Sequence, residues 1–193
     1  IAVRRIPDGG GGSIEVHDTL DVGDSVTIKG PRNAFPLALP GYGSPARRLR
    51  FVAAGIGITP ILPMLAMADR YGLDWSMVYS GRSADSIPFI DELAKYGDKV
   101  TVRTDDVDGL PTMADLVGPV PDTDAELAVY CCGPVPMLEN LRVHLAERAD
   151  IELHFERFSP PPILDGTEFT VTVGSTGHDE TVAADESVLT ALR

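Results

Sequence analysis

Cysteine is nearly absent from this chain. Cys131 and Cys132 are the only two, and they are neighbours in sequence. An adjacent pair cannot staple distant segments, so a disulfide framework is excluded. Unpaired thiols suit a reducing, cytoplasmic setting. Positive charge is scarce too: 16 Lys and Arg stand against 29 Asp and Glu, a formal net charge of −13. That balance argues against nucleic acid and anionic membranes as partners. No uninterrupted apolar run is long enough to span a bilayer. No cluster of His, Cys, Asp and Glu has metal-ligand spacing. His17 and His154 are isolated, with no matched acid, base or nucleophile. The chain opens on Ile1 rather than Met and shows no signal peptide, so the protein's true start is expected upstream.

What is present is enough apolar material for a packed core. Hydrophobic residues make up 44% of 193, which suits one large or two small domains. The most telling stretch is Phe51-Val52-Ala53-Ala54-Gly55-Ile56-Gly57-Ile58-Thr59-Pro60. An apolar run breaks at two glycines and Thr-Pro, then a second apolar segment begins. This reads as a buried strand, a tight turn and a helix starting near Pro60. Thr59 is the expected cap and Pro60 the first helical residue. The free N–H groups and dipole at such a start attract phosphate. An unliganded strand-to-helix turn fits the same residues.

From Arg48 onward, strand and helix patterns alternate. Strands are expected at Leu49–Ala54, Trp75–Ser80, Lys99–Thr104, Leu127–Cys132 and Glu152–Phe155. Helices are expected at Pro60–Tyr71, Phe89–Lys95, Met113–Val117 and Val135–Arg148. This alternation predicts an α/β domain with a parallel sheet. The strand ends Gly55-Ile56-Gly57, Ser80-Gly81-Arg82 and Cys132-Gly133-Pro134 should face one crevice. Before Pro45 the pattern looks all-β, with strands at Ile1–Arg5 and Ser25–Lys29 and too few of them to close a barrel. Gly11, Gly12 and Ser13 offer backbone N–H groups and a hydroxyl to a phosphate, or form a flexible loop. Ser159-Pro160-Pro161-Pro162 reads as a stiff linker. A hairpin from Thr167–Val173 and Glu180–Ala184 follows, then a helix from Val188.

Four segments in this order carry a resemblance: Gly11-Gly12-Ser13; Pro31-Arg32-Asn33-Ala34-Phe35-Pro36-Leu37; Gly55 to Pro60; and Tyr130-Cys131-Cys132-Gly133-Pro134-Val135-Pro136-Met137. His154-Phe155-Glu156-Arg157-Phe158 closes the α/β part. Together they resemble the phthalate dioxygenase reductase family, within the wider ferredoxin–NADP reductase superfamily. The resemblance implies part of a flavin-binding β-barrel at 1–45 and an NAD(P)-binding α/β domain at 46–158. A linker at 159–166 and the start of a β-grasp ferredoxin domain at 167–193 follow.

The resemblance also implies roles. Gly11, Gly12 and Ser13 hold the phosphate of FMN, which is favoured over FAD. A basic residue often sits inside the family's glycine run, where this chain has Gly10. Gly55, Gly57, Thr59 and Pro60 hold the dinucleotide pyrophosphate and nearby ribose. Cys132, Gly133 and Pro134 shape the nicotinamide pocket. Ser80 and Arg82 lie by the adenine ribose, with Asp85 nearby opposing a 2′-phosphate, so NADH is favoured over NADPH. Phe155 or Phe158 covers the flavin. Cys132 and Phe155 are the expected catalytic contacts, and hydride transfer needs no acid–base triad. Four thiolates spaced as in plant-type [2Fe–2S] ferredoxins are absent here and are expected just past Arg193. Electrons would then pass to a terminal oxygenase or similar acceptor. An FAD-dependent one-component reductase and a non-catalytic electron-transfer subunit remain as alternatives.

Overall fold

A computed structural model describes residues 1–119, 126–159 and 163–192. The chain divides into two units, Ile1–Phe158 and Ser159–Arg193. Five strands build the first. They are β1 (Arg48–Ala54), β2 (Asp74–Gly81), β3 (Val100–Thr104), β4 (Leu127–Cys132) and β5 (Ile151–Glu156). All pair in parallel, in the order β3-β2-β1-β4-β5. β1 and β4 are buried on both faces, as central parallel strands must be.

Successive residues feed opposite layers. Phe51, Ala53, Tyr79 and Tyr130 pack with Ile61 and Leu65 of α2 (Ile58–Arg70). Val52, Val78, Val129 and Cys131 pack with Leu138 and Leu141 of α6 (Val135–Leu145). Three short helices complete the connections: α3 (Ile90–Leu93), α4 (Asp105–Asp108) and α5 (Met113–Val117). The chain first winds outward from β1 through β2 to β3, then crosses to β4 on β1's other side. The order therefore reverses between β1 and β4, and in such sheets the crevice outside that reversal receives ligands.

Every expected α/β strand is present within about two residues of its expected bounds, an ordinary margin for helix and strand ends. The front segment differs. Ile1–Arg5 and Ser25–Lys29 form no ladder, and among the described residues before β1 the one ladder is Leu39–Pro40 with Gly43–Ser44. Alternation alone does not make a strand; a partner must supply hydrogen bonds, and Val26 and Ile28 stay exposed. The glycine run instead leads into α1 (Gly12–Thr19), which Gly11 caps at a φ of 87°. α1 is tied to the chain start by Arg5–Asp18 at 3.2 Å and by His17 Nε2 to the Val3 carbonyl at 2.7 Å.

In the second unit, β6 (Phe169–Val173) and β7 (His178–Val182) form the expected antiparallel hairpin. The hydroxyl of Ser187 accepts the N–H of Thr190 at 3.2 Å and starts α7 (Val188–Ala191). The three prolines of the expected linker, residues 160–162, and Arg193 lie outside the described residues.

Candidate functional site

The ends of β1, β2 and β4 meet at one edge, as their spacing predicts. Register places Ala53 beside Cys132 and Ala54 beside Ser80. Beyond Ala54 the backbone makes a tight turn at Gly55–Gly57 and enters α2 at Ile58. The helix thus starts two residues earlier than Pro60. Gly57 is its cap residue, and Thr59 lies in its first turn. The Thr59 hydroxyl donates to the Ile56 carbonyl at 3.0 Å, locking the turn rather than capping the helix.

The two glycines serve different needs. Gly55 adopts a φ of 53°, in the left-handed region that side chains avoid. Gly57 has ordinary helical angles but lies directly against the carbonyl of Cys132, where a Cβ would collide. Gly133 is similarly tight: a Cβ there would lie 3.0 Å from Met137 Sδ and 3.1 Å from Ala54 Cβ. Side-chain-free backbone therefore lets the β1 and β4 turns close on each other at the reversal point. Pro134 caps α6 and is exposed.

Cys132 is 1% exposed at the end of β4. Burial, reinforced by the charge of Glu156 on β5, pushes its thiol up to about 12. A thiol buried and held protonated in this way is not set up as a nucleophile. Cys131 faces the α6 layer and is pushed up as well, first by burial and then by Cys132. Glu156 is a neighbour that no local pattern reveals, because only the β4–β5 register sets it beside Cys132.

Other expected site residues separate. Ser80 is buried, with its hydroxyl 3.5 Å from the Ala53 carbonyl. Arg82 is exposed just past β2, and its carbonyl accepts the N–H of Asp106 at 3.2 Å. Phe155 pairs in register with Cys131, so it lies on the sheet face opposite Cys132. The Arg142 guanidinium sits 5.9 Å from its ring centroid. Phe158 is exposed two residues beyond β5. Gly11 and Gly12 look onto open space, with nothing within 4 Å of an added Cβ. Ser13 Oγ accepts the Ile6 N–H at 3.0 Å. A positive charge does reach the glycine turn after β1: Arg4 Nη1 lies 3.9 Å from where a Gly55 Cβ would be. Sequence spacing carries no sign of that contact.

These features fit a dinucleotide at the strand ends and leave the Gly11–Gly12 backbone open to a phosphate. They do not fit an iron–sulfur cluster. Both cysteines are buried on β4, and no metal-binding group of three or more His, Cys, Asp and Glu occurs among the described residues.

No family model matches the chain. Individual proteins do. Phenoxybenzoate dioxygenase subunit beta of Ectopseudomonas oleovorans is 34% identical over 195 residues, covering 100% of this chain and 59% of its own. Phthalate dioxygenase reductase of Burkholderia cepacia is 33% identical over 197 residues, covering 100% of this chain and 60% of its own. The solved structure of phthalate dioxygenase reductase, described as modular for electron transfer from pyridine nucleotides to [2Fe–2S], superposes with a TM-score of 0.74 at 31% identity. It covers 99% of this chain and 59% of the solved one. The chain thus spans about three fifths of the length of the curated relatives it matches. Over its whole length, in sequence and in fold, this chain is similar to phthalate dioxygenase reductase and related oxygenase reductase subunits.

Proposed function

We propose that the chain is the pyridine-nucleotide-handling part of an oxygenase reductase. In this reading the protein takes hydride from NADH onto FMN and passes electrons singly through a [2Fe–2S] cluster to a terminal oxygenase. The observation that carries it is the closure of the Gly55–Gly57 and Cys132–Pro134 turns on each other at the sheet's reversal point. The names of the relatives supply the oxygenase connection.

Residues 46–158 hold the dinucleotide, with its pyrophosphate by Gly55, Thr59 and Pro60 and its nicotinamide by Cys132, Gly133 and Pro134. Hydride transfer there depends on stacking and exclusion of water. Residues 1–45 belong to the flavin side, with Gly11, Gly12 and Ser13 at the FMN phosphate. Strand alternation turns Phe155 away from Cys132, so the role of covering the flavin passes to Phe158. Residues 167–193 start a ferredoxin-like module, and the cluster's four thiolates are not among this chain's two cysteines. Free thiols and the acidic balance support a cytoplasmic protein with neither nucleic acid nor membrane as partner. No described helix is long and apolar enough to cross a membrane.

Three measurements test the reading. Anaerobic mixing of the purified full-length protein with NADH should bleach its flavin absorbance; no bleaching overturns the proposal. Mass analysis of the extracted cofactor should return FMN, and FAD would favour a one-component reductase. Iron and sulfide should be present in equal amounts; a full-length protein with neither would remove the ferredoxin-tailed assignment.

A further inference from the structure

Tyr79 lies near the end of β2, fully buried beneath the crevice. Its hydroxyl oxygen is 2.9 Å from the Gly55 carbonyl oxygen and 3.0 Å from that of Pro88. Those carbonyls belong to two loops, one following β1 and one following β2. Both loops turn through left-handed backbone. Gly55 has a φ of 53°, and Phe89, next after Pro88, a φ of 64°. For a bulky residue such as Phe this conformation is costly, and it persists only where surroundings over-determine it. A phenol carries one donor proton. A single buried hydroxyl is therefore shared between the carbonyls of two left-handed corners. Burial raises the pKa of the phenol, which keeps that proton in place.

We propose that Tyr79 is a positioning residue that couples these loops, so that the adenosine half of a dinucleotide, by ordering the loop after β2, also orders the pyrophosphate turn after β1. The proposal rests on the dinucleotide reading given above.

Calorimetric titration of the intact protein with NAD⁺ and with adenosine tests it without turnover. Replacing Tyr79→Phe should raise the Kd for NAD⁺ about tenfold, the effect of losing roughly one hydrogen bond. The Kd for adenosine should stay within about twofold, because that half-ligand carries no phosphate to meet the β1 turn. A purely structural role lowers the melting temperature and leaves both affinities alone, which overturns the proposal. Equal weakening of both ligands overturns it as well, by confining Tyr79 to one loop. Absence of NAD⁺ binding by the unaltered protein instead removes the dinucleotide reading, and this inference with it. If Tyr79→Phe does not fold, hydrogen exchange in the unaltered protein decides. Adding adenosine should slow exchange in residues 55–59 as well as 84–90, and slowing in 84–90 alone refutes the coupling.

Discussion

Gly57 lies against the carbonyl group of Cys132 with no room for a methyl between them. The contact joins the turn after β1 to the turn after β4. It changes the meaning of a substitution there. The family resemblance implies a phosphate beside Gly57, which added bulk would block; the structure puts the first collision inside the protein.

Gly57→Ala should therefore lower stability by about 1–3 kcal/mol, the usual penalty for overpacking. The urea midpoint should fall with an unchanged slope. Gly12→Ala is the matched control, since nothing lies within 4 Å of its added Cβ. It should shift stability by no more than about 0.5 kcal/mol. Equal midpoints for Gly57→Ala and the unaltered protein would show that the turns are not in contact.

Arg50 is a second structural pivot, 8% exposed on β1. It donates from Nε to the Leu116 carbonyl at 2.8 Å, from Nη2 to the Asp115 carbonyl at 2.7 Å and from Nη1 to Ser76 Oγ at 3.1 Å. Arg50→Met keeps the stem but strands two carbonyls at the end of α5. At about 1–3 kcal/mol for each unsatisfied buried group, the loss should be roughly 2–6 kcal/mol. Chemical denaturation measures it, and a loss below about 0.5 kcal/mol, typical of surface changes, contradicts the geometry.

Alkaline pH should destabilise the fold. The ordinary thiol value is 9.0, and burial, followed by Glu156, pushes Cys132 up to about 12. Below pH 9 folded and unfolded chains both hold the proton, and stability is complete. Between about pH 9 and 12 the unfolded chain loses it while the folded chain retains it, so stability falls as pH rises. Cys131, Tyr79 and Tyr130 are shifted in the same direction, chiefly by burial. Cys132→Ala should make the decline shallower without abolishing it. Urea unfolding at pH 8, 9, 10 and 11 measures the slope, and an unfolding free energy independent of pH contradicts the burial.

NADH should give a higher kcat/KM than NADPH. In the dinucleotide reading proposed above, exposed Arg82 would meet a 2′-phosphate, but Asp85 shares its loop and the backbone N–H of Asp106 binds its carbonyl. That acidic surround opposes two further negative charges. Steady-state kinetics with both cofactors decide; a preference for NADPH that disappears in Arg82→Ala would assign the arginine the opposite role.

The α/β architecture was legible in the sequence because its signals are local. Apolar runs such as Leu127–Cys132 can only be buried strands at that length, and glycine or proline marks where each one stops. The glycine turn after β1, its neighbour Cys132-Gly133-Pro134 and the hairpin after residue 166 follow from the same punctuation. The front segment was not legible in this way. Ser25–Lys29 alternates correctly, yet a strand exists only when another strand pairs with it, and pairing is not a local property.

Within the site, tertiary structure decided everything that depends on register. Parallel pairing of β4 with β5 sets Glu156 beside Cys132 and Phe155 beside Cys131, which separates two residues that the chain alone presents as joint candidates. It likewise made Gly57 a packing residue, brought Arg4 to the Gly55 turn and hung two loops on the hydroxyl of Tyr79. Residue type and spacing determined which segments turn at the strand ends, because backbone freedom belongs to each residue. Which atoms meet there was set by the sheet, because contact belongs to pairs of residues far apart in the chain.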